Sequence, residues 1–212
     1  GDNISDLVVS SMQCSDNETG AWGCVKIFSG STLINPNAEP AWTLSGQTIG
    51  TRFLGMNVES IGDVNGDGYG DILIIGARAN NGSDPSTWNN NTSVAFITHL
   101  YYGGPSFNLT PAWEHTLLTA LSGDIDGILL LNLGFGVQIA PLGDMNHDGK
   151  NDTAIRFISD FENSTIHVFY GTDTISNWNS PEVITHQIIP FSIDGKSDLN
   201  GDSINDLAMA SP

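Results

Sequence analysis

The sequence predicts an all-β protein built from repeats, and three observations carry that prediction. One acidic motif recurs along the 212 residues and each time runs directly into a short apolar stretch. No stretch places apolar residues at helical spacing, whereas short β-rich runs are frequent. Finally, 24 glycines and 9 prolines punctuate the chain, as expected where many short strands are joined by turns.

Taken in order, GDNISDLVV opens the chain with Asp2, Ile4 and Asp6 ahead of Leu7, Val8 and Val9. VKIFSG, from Val25, is a β-rich run that closes on Gly30. The full motif follows in GDVNGDGYGDILII, where Asp63, Asn65, Asp67 and Asp71 precede four apolar residues. HLYYGG, from His99, repeats the ending on aromatic residues and glycine. GDMNHDGKNDTAI sets Asp144, Asn146, Asp148 and Asp152 at the same spacing, and HVFYGT from His167 again closes through glycine. SDLNGDSINDLAM completes the series with Asp198, Asn200, Asp202 and Asp206. Asp2, Asp67, Asp148 and Asp202 hold equivalent places, 65, 81 and 54 residues apart. The chain therefore reads as one repeat region with phases at about 1–66, 67–147 and 148–201, and a further repeat beginning at 202–212. The longest interval holds ARANNGSDPSTWNNNTS, expected to be a surface loop bearing glycans.

The motif has a chemical reading. In so tight a loop alternate side chains can turn inward, so positions 1, 3, 5 and 9 offer four oxygen donors, and the carbonyl of position 7 adds a fifth. Three carboxylates this close repel one another unless a cation neutralises them. Five or more oxygens suit calcium, which takes about six to eight, better than magnesium, which keeps several waters. Zinc would want softer ligands than five dispersed His and two Cys provide. An EF-hand would need Glu at position 12, where Ile74, Ile155 and Met209 stand.

The expectation is three calcium sites. They comprise Asp63, Asn65, Asp67, Tyr69 and Asp71; Asp144, Asn146, Asp148, Lys150 and Asp152; and Asp198, Asn200, Asp202, Ile204 and Asp206. Tyr69, Lys150 and Ile204 contribute through the backbone carbonyl. Asp2, Ile4 and Asp6 form a weaker, partial fourth site. Ser203 replaces the position-6 glycine in the third loop and is expected to weaken it. The plainer alternative is an Asx-rich turn without an ion; three loops in register favour the ion.

The pattern D-x-N-x-D-G-x-x-D followed by a strand resembles the FG-GAP repeat of integrin α-subunit β-propellers and related extracellular proteins. Phe135-Gly136 stands for the FG, and Gly76-Ala77-Arg78 and Ala210-Ser211-Pro212 stand where GAP would fall. The resemblance implies propeller-type blades of four strands, each with its calcium loop between two adjacent strands. A closed propeller needs at least four blades, so about three repeats imply part of a longer protein or copies meeting end to end. Head-to-tail contact would cover strand edges otherwise exposed, and a contact that does not close gives a filament.

Composition bounds the rest. Acidic residues outnumber basic ones 24 to 6, for a net charge of −18, so no basic patch for nucleic acid can form. The longest apolar run, GILLLNLGFGV from Gly127, is too short to span a bilayer. Cys14 and Cys24 are expected to form a disulfide. N-glycosylation sequons stand at Asn3, Asn17, Asn81, Asn90, Asn91, Asn108, Asn151 and Asn163. Asn151 is the doubtful one because it lies between calcium ligands. Sequon enrichment and the cysteine pair together point to an extracellular or cell-surface location. No G-x-S-x-G or H-E-x-x-H occurs, so the chain is not expected to be an enzyme. The functional expectation is a calcium-binding structural glycoprotein that assembles with itself. The alternative is an integrin-like adhesion fragment recognising another extracellular protein or a glycan, with Trp88, Trp113 and Trp178 either exposed for recognition or packed over the core.

Overall fold

A computed structural model describes residues 4–14, 22–32, 35, 37–79, 94–117, 137–158, 164–186 and 192–210. Asp2, Asn3, Asn17, Asn81, Trp88, Asn90, Asn91, Phe135, Gly136, Asn163, Ser211 and Pro212 lie outside the described residues. The described residues are all-β apart from a four-residue helix α1 (Gly46–Ile49) and a 3-10 turn at Ile175–Asn179.

The strands form four antiparallel sheets in chain order. The first contains β1 (Leu7–Ser11), β2 (Cys24–Phe28) and β3 (Trp42–Ser45). The second contains β4 (Arg52–Gly62), β5 (Asp71–Ala79), β6 (Val94–Tyr101) and β7 (Trp113–Leu117). The third contains β8 (Val137–Gly143), β9 (Asp152–Ile158), β10 (Ser164–Phe169) and β11 (Glu182–His186). The fourth pairs β12 (Ser192–Ser197) with β13 (Asp206–Ala210). Each sheet is a meander, its strands paired antiparallel in the order in which the chain makes them. No closed ring of sheets is found among the described residues.

Why the runs after the acidic motif are continuously apolar becomes clear in β5. Side chains alternate across a strand, and both faces of this one are covered. Ile72 and Ile74 pack with Val25, Ile27, Leu44 and Leu54 toward the first sheet. Leu73, Ile75 and Ala77 pack with Val137, Ile139, Ile155 and Phe157 of the third. A third core joins Leu142, Ala154, Ile166 and Val168 to Ile193 of the fourth sheet. Each fully buried aliphatic side chain contributes roughly 1.5–3 kcal/mol by leaving water, so the sheets hold one another up. Their successive first strands meet directly, β1 with β4, β4 with β8 and β8 with β12.

Cys14 and Cys24 are disulfide-bonded, with Cα atoms 5.5 Å apart, linking the segment after β1 to the first residue of β2. Trp113 and Trp178 are buried rather than exposed. Their rings meet edge to face at 5.3 Å, which removes two of the three tryptophans from any surface recognition role. His99 is fully buried, with Nε2 3.1 Å from Thr51 Oγ1 and Nδ1 3.3 Å from Glu114 Oε2. Arg78 pairs with Glu114 at 2.6 Å. The Glu114 carboxyl is held down to about 2, by His99 first and then by Arg78, against the opposing effect of burial. Its contribution to stability is complete above its ordinary 4.5 and lost only as pH falls toward 2.

Candidate functional site

The three acidic loops occupy one structural position, between the first two strands of the second, third and fourth sheets. A register shift at the end of β4 and of β8 places Gly62 and Gly143 at φ +77° and +68°, and the chain there leaves the ladder. Positions 4 and 6 of every loop are left-handed: Gly66 and Gly68, His147 and Gly149, Gly201 and Ser203. Glycine adopts this conformation freely and other residues do so at a cost of about 1–2 kcal/mol. Ser203, at φ +72°, and His147, at φ +59°, carry that strain. Ser203→Gly is therefore expected to stabilise the protein by about 1 kcal/mol, read as a higher urea midpoint with unchanged slope.

Inside each loop the side-chain oxygens accept backbone N–H groups in a repeated pattern. The Asp63 carboxylate accepts from Gly66 at 2.7 Å, Asp67 at 3.1 Å and Gly68 at 2.7 Å. Asp144 accepts from Asp148 and Gly149, and Asp198 from Gly201, Asp202 and Ser203. The Asn65, Asn146 and Asn200 carbonyls each accept the N–H two residues on. Asp67, Asp148 and Asp202 accept from Tyr69, Lys150 and Ile204. These are Asx turns in series, and they gather positions 1, 3 and 5 into one compact loop.

Position 9 behaves differently. Asp71 accepts from the Val64 N–H at 2.9 Å and from Gly103 at 2.8 Å. Asp152 accepts from Met145 and Gly171, both at 2.8 Å, and Asp206 from Leu199 at 2.7 Å. Asp71 and Asp152 are fully buried. Burial, followed at a distance by the negative charges of Asp67 and Asp63, pushes the Asp71 carboxyl up to about 6. The same causes raise Asp152, with Asp148 and Asp144 as the neighbours. Among the described residues, no three His, Cys, Asp or Glu side chains converge closely enough to hold a metal ion. Each loop gathers the side chains of positions 1, 3 and 5 through backbone N–H bonds, while the position-9 carboxylate ties the loop to the turn beyond the third strand in the second and third sheets.

That tie explains the recurring glycines. Asp6 accepts the Gly30 N–H at 2.9 Å, the same bond that joins Asp71 to Gly103 and Asp152 to Gly171. A β-carbon on Gly30, Gly103 or Gly171 would fall 2.2 to 2.6 Å from the carbonyl oxygen of Ser5, Gly70 or Asn151, the residue just before each aspartate. Two backbones cross there, and only glycine fits. The partial N-terminal motif therefore keeps its position-9 role in Asp6, while Ile4 is exposed. The sequence held the signal, an Asp paired with a glycine about one hairpin later, but its spacing varies with hairpin length.

The donor set suits a hard divalent cation: carboxylate, carboxamide and carbonyl oxygens and no sulfur or imidazole. The loops are also open, since a β-carbon on Gly68, Gly149 or Gly201 would meet nothing within 4 Å.

Of the two described sequons, Asn108 is exposed, its Oδ1 accepting the Thr110 N–H. Asn151 is turned inward, its Oδ1 accepting the Asp63 N–H at 3.0 Å, and Thr153 is fully buried. Glycopeptide mapping of protein secreted from a eukaryotic host is expected to find glycan on Asn108 and none on Asn151.

Comparison with known proteins finds a distant likeness. The chain is 29% identical over 188 residues to integrin alpha-2 of Bos taurus, covering 82% of this chain. It spans 14% of the length of that protein. No protein-family model matches the chain.

Proposed function

We propose that this chain is an extracellular, calcium-stabilised array of integrin-like propeller blades with a structural role. The observation that carries the reading is the threefold recurrence of one loop with one hydrogen-bond scheme at one place in successive sheets. Calcium bound there would neutralise the crowded carboxylates and lock the loop that joins the first two strands of each sheet. Asp63, Asn65, Asp67 and the Tyr69 carbonyl would hold it in the first loop, with Asp71 as the fourth side chain, and the matching residues in the others. Asp2, Ile4 and Asp6 would at most complete a fourth site with ligands from elsewhere. The reading is non-catalytic and supposes no nucleic acid partner, in keeping with the acidic surface.

Assembly is the second half of the proposal. Leu7 and Val9 are exposed on the first sheet, and Leu199 and Met209 at the fourth. Further sheets of the same kind, supplied head to tail by another copy, would cover them. The likeness to integrin alpha-2 supports a second reading, an adhesion fragment that binds an extracellular protein or glycan.

Thermal unfolding with calcium, magnesium and chelator tests the first half. A rise in Tm of several degrees with calcium, not reproduced by magnesium, is expected. An identical Tm in calcium and chelator would overturn it. Electron microscopy and light scattering under the same conditions test the second half. Rings or filaments that dissociate on chelation support assembly, and monodisperse monomers in both conditions count against it.

A further inference from the structure

Asn151 sits where the third sheet meets the second, and it makes a contact that neither strand pairing nor the cation reading uses. Its backbone N–H donates to the Asp63 carbonyl at 2.8 Å, and its side-chain Oδ1 accepts the Asp63 N–H at 3.0 Å. Both backbone groups of the first residue of the first loop are therefore held by the eighth residue of the second. A β-carbon on Gly62 would come within 2.5 Å of the Asn151 amide, so the glycine opens the space this side chain fills. The neighbouring Lys150 lies over Gly66, whose β-carbon would be 3.2 Å from Lys150 Cε. The Thr172 N–H donates to the Val64 carbonyl at 2.6 Å.

The next interface repeats the placement. Asn205, position 8 of the third loop, lies against Gly143, where a β-carbon would be 2.6 Å from Asn205 Nδ2. The first loop has Gly70 at position 8 and no such arm toward the first sheet.

We propose that Asn151 is a relay residue: it transmits order in the second acidic loop to the first, so that the loops open and close as a coupled pair. Asp63 is the point of transmission. Its backbone is clamped by Asn151, and its carboxylate holds the N–H groups of Gly66, Asp67 and Gly68. Freeing the backbone of Asp63 lets its carboxylate swing, so that Gly66 and Gly68 lose their acceptor together and Asp67 keeps only the Asn65 oxygen. The relay goes beyond the calcium proposal and operates without the ion. With calcium bound, it would make the filling of one loop favour the next, since coupling between sites is reciprocal.

A double-mutant cycle read by hydrogen exchange tests this on the full chain in chelator. Gly149→Val strains the second loop directly, because Gly149 has φ +87°, and a β-carbon there meets nothing within 4 Å. It is expected to speed exchange at Gly66, Asp67 and Gly68 on the order of fivefold. Asn151→Ala keeps the backbone N–H bond to the Asp63 carbonyl and removes only the Oδ1 contact, so in that background the same substitution should speed those amides clearly less than it does in wild type. Asn151→Ser, whose hydroxyl is too short to reach Asp63, serves if the alanine variant does not fold. First-loop amides indifferent to Gly149→Val, or equally sensitive with Asn151 absent, would overturn the relay. Repeating the wild-type measurement in calcium reads the ion proposal separately: unprotected loops there would sink the calcium reading and leave the metal-free cycle decisive.

Discussion

Trp178→Ala is expected to destabilise the protein by about 3–5 kcal/mol, the range for removing a large buried aromatic side chain. Trp178 is 1% exposed and sits in the 3-10 turn between β10 and β11. Its ring meets Trp113 edge to face at 5.3 Å and Phe169 at 5.1 Å. Its Nε1–H donates to the Tyr170 carbonyl at 2.8 Å, and Trp113 Nε1–H donates to Asn179 Oδ1 at 3.1 Å. The alanine variant would lose ring burial, two aromatic contacts and one hydrogen bond. Trp178→Phe keeps a ring and loses the N–H, and should cost well under half as much. Urea unfolding followed by far-ultraviolet circular dichroism measures both. Equal midpoints for wild type and Trp178→Ala would show that the aromatic cluster is not a core element.

Asp71→Ala is expected to cost about 2–4 kcal/mol, because it leaves two backbone N–H groups, Val64 and Gly103, without their acceptor in a buried place. Asp152→Ala should behave alike at Met145 and Gly171. The pH dependence separates packing from charge. Burial raises the Asp71 carboxyl from 3.8 to about 6, so the folded state binds its proton more tightly than the unfolded chain does. The stability this confers is fully present below 3.8 and lost as pH rises through about 6. In chelator, wild type should therefore weaken across that window, and Asp71→Asn should flatten its share of the slope. A slope unchanged by Asp71→Asn would refute the assignment.

Much of the fold was legible because the acidic motif is local. Asp71, Asp152 and Asp206 each open the strand that the sequence places after the motif. His99 and His167 head matching β-rich runs, and His99 lies buried within reach of Thr51 and Glu114. The contacts across sheets were not legible. The hold of Asn151 on Asp63 spans 88 residues, and nothing in either motif marks the pair. The sequence favoured a core over a surface place for Trp178 without deciding it, because a five-residue 3-10 turn has too little periodicity to show which way its side chain faces. The likeness of Asp6 to Asp71 was visible, but its bond to Gly30 depended on how long the first hairpin is.

The sheet order has a consequence for synthesis. Because the direct sheet-to-sheet meetings described above run β1 to β4, β4 to β8 and β8 to β12, each sheet docks on one already made. A nascent chain leaving the ribosome can therefore mature vectorially, each repeat templated by its predecessor instead of waiting for the C-terminus. Stalled translation intermediates that have exposed the chain through Tyr101 should protect the β5 amides facing β6 as well as those facing β4, while those exposing the chain only as far as Ala79 should protect the latter alone.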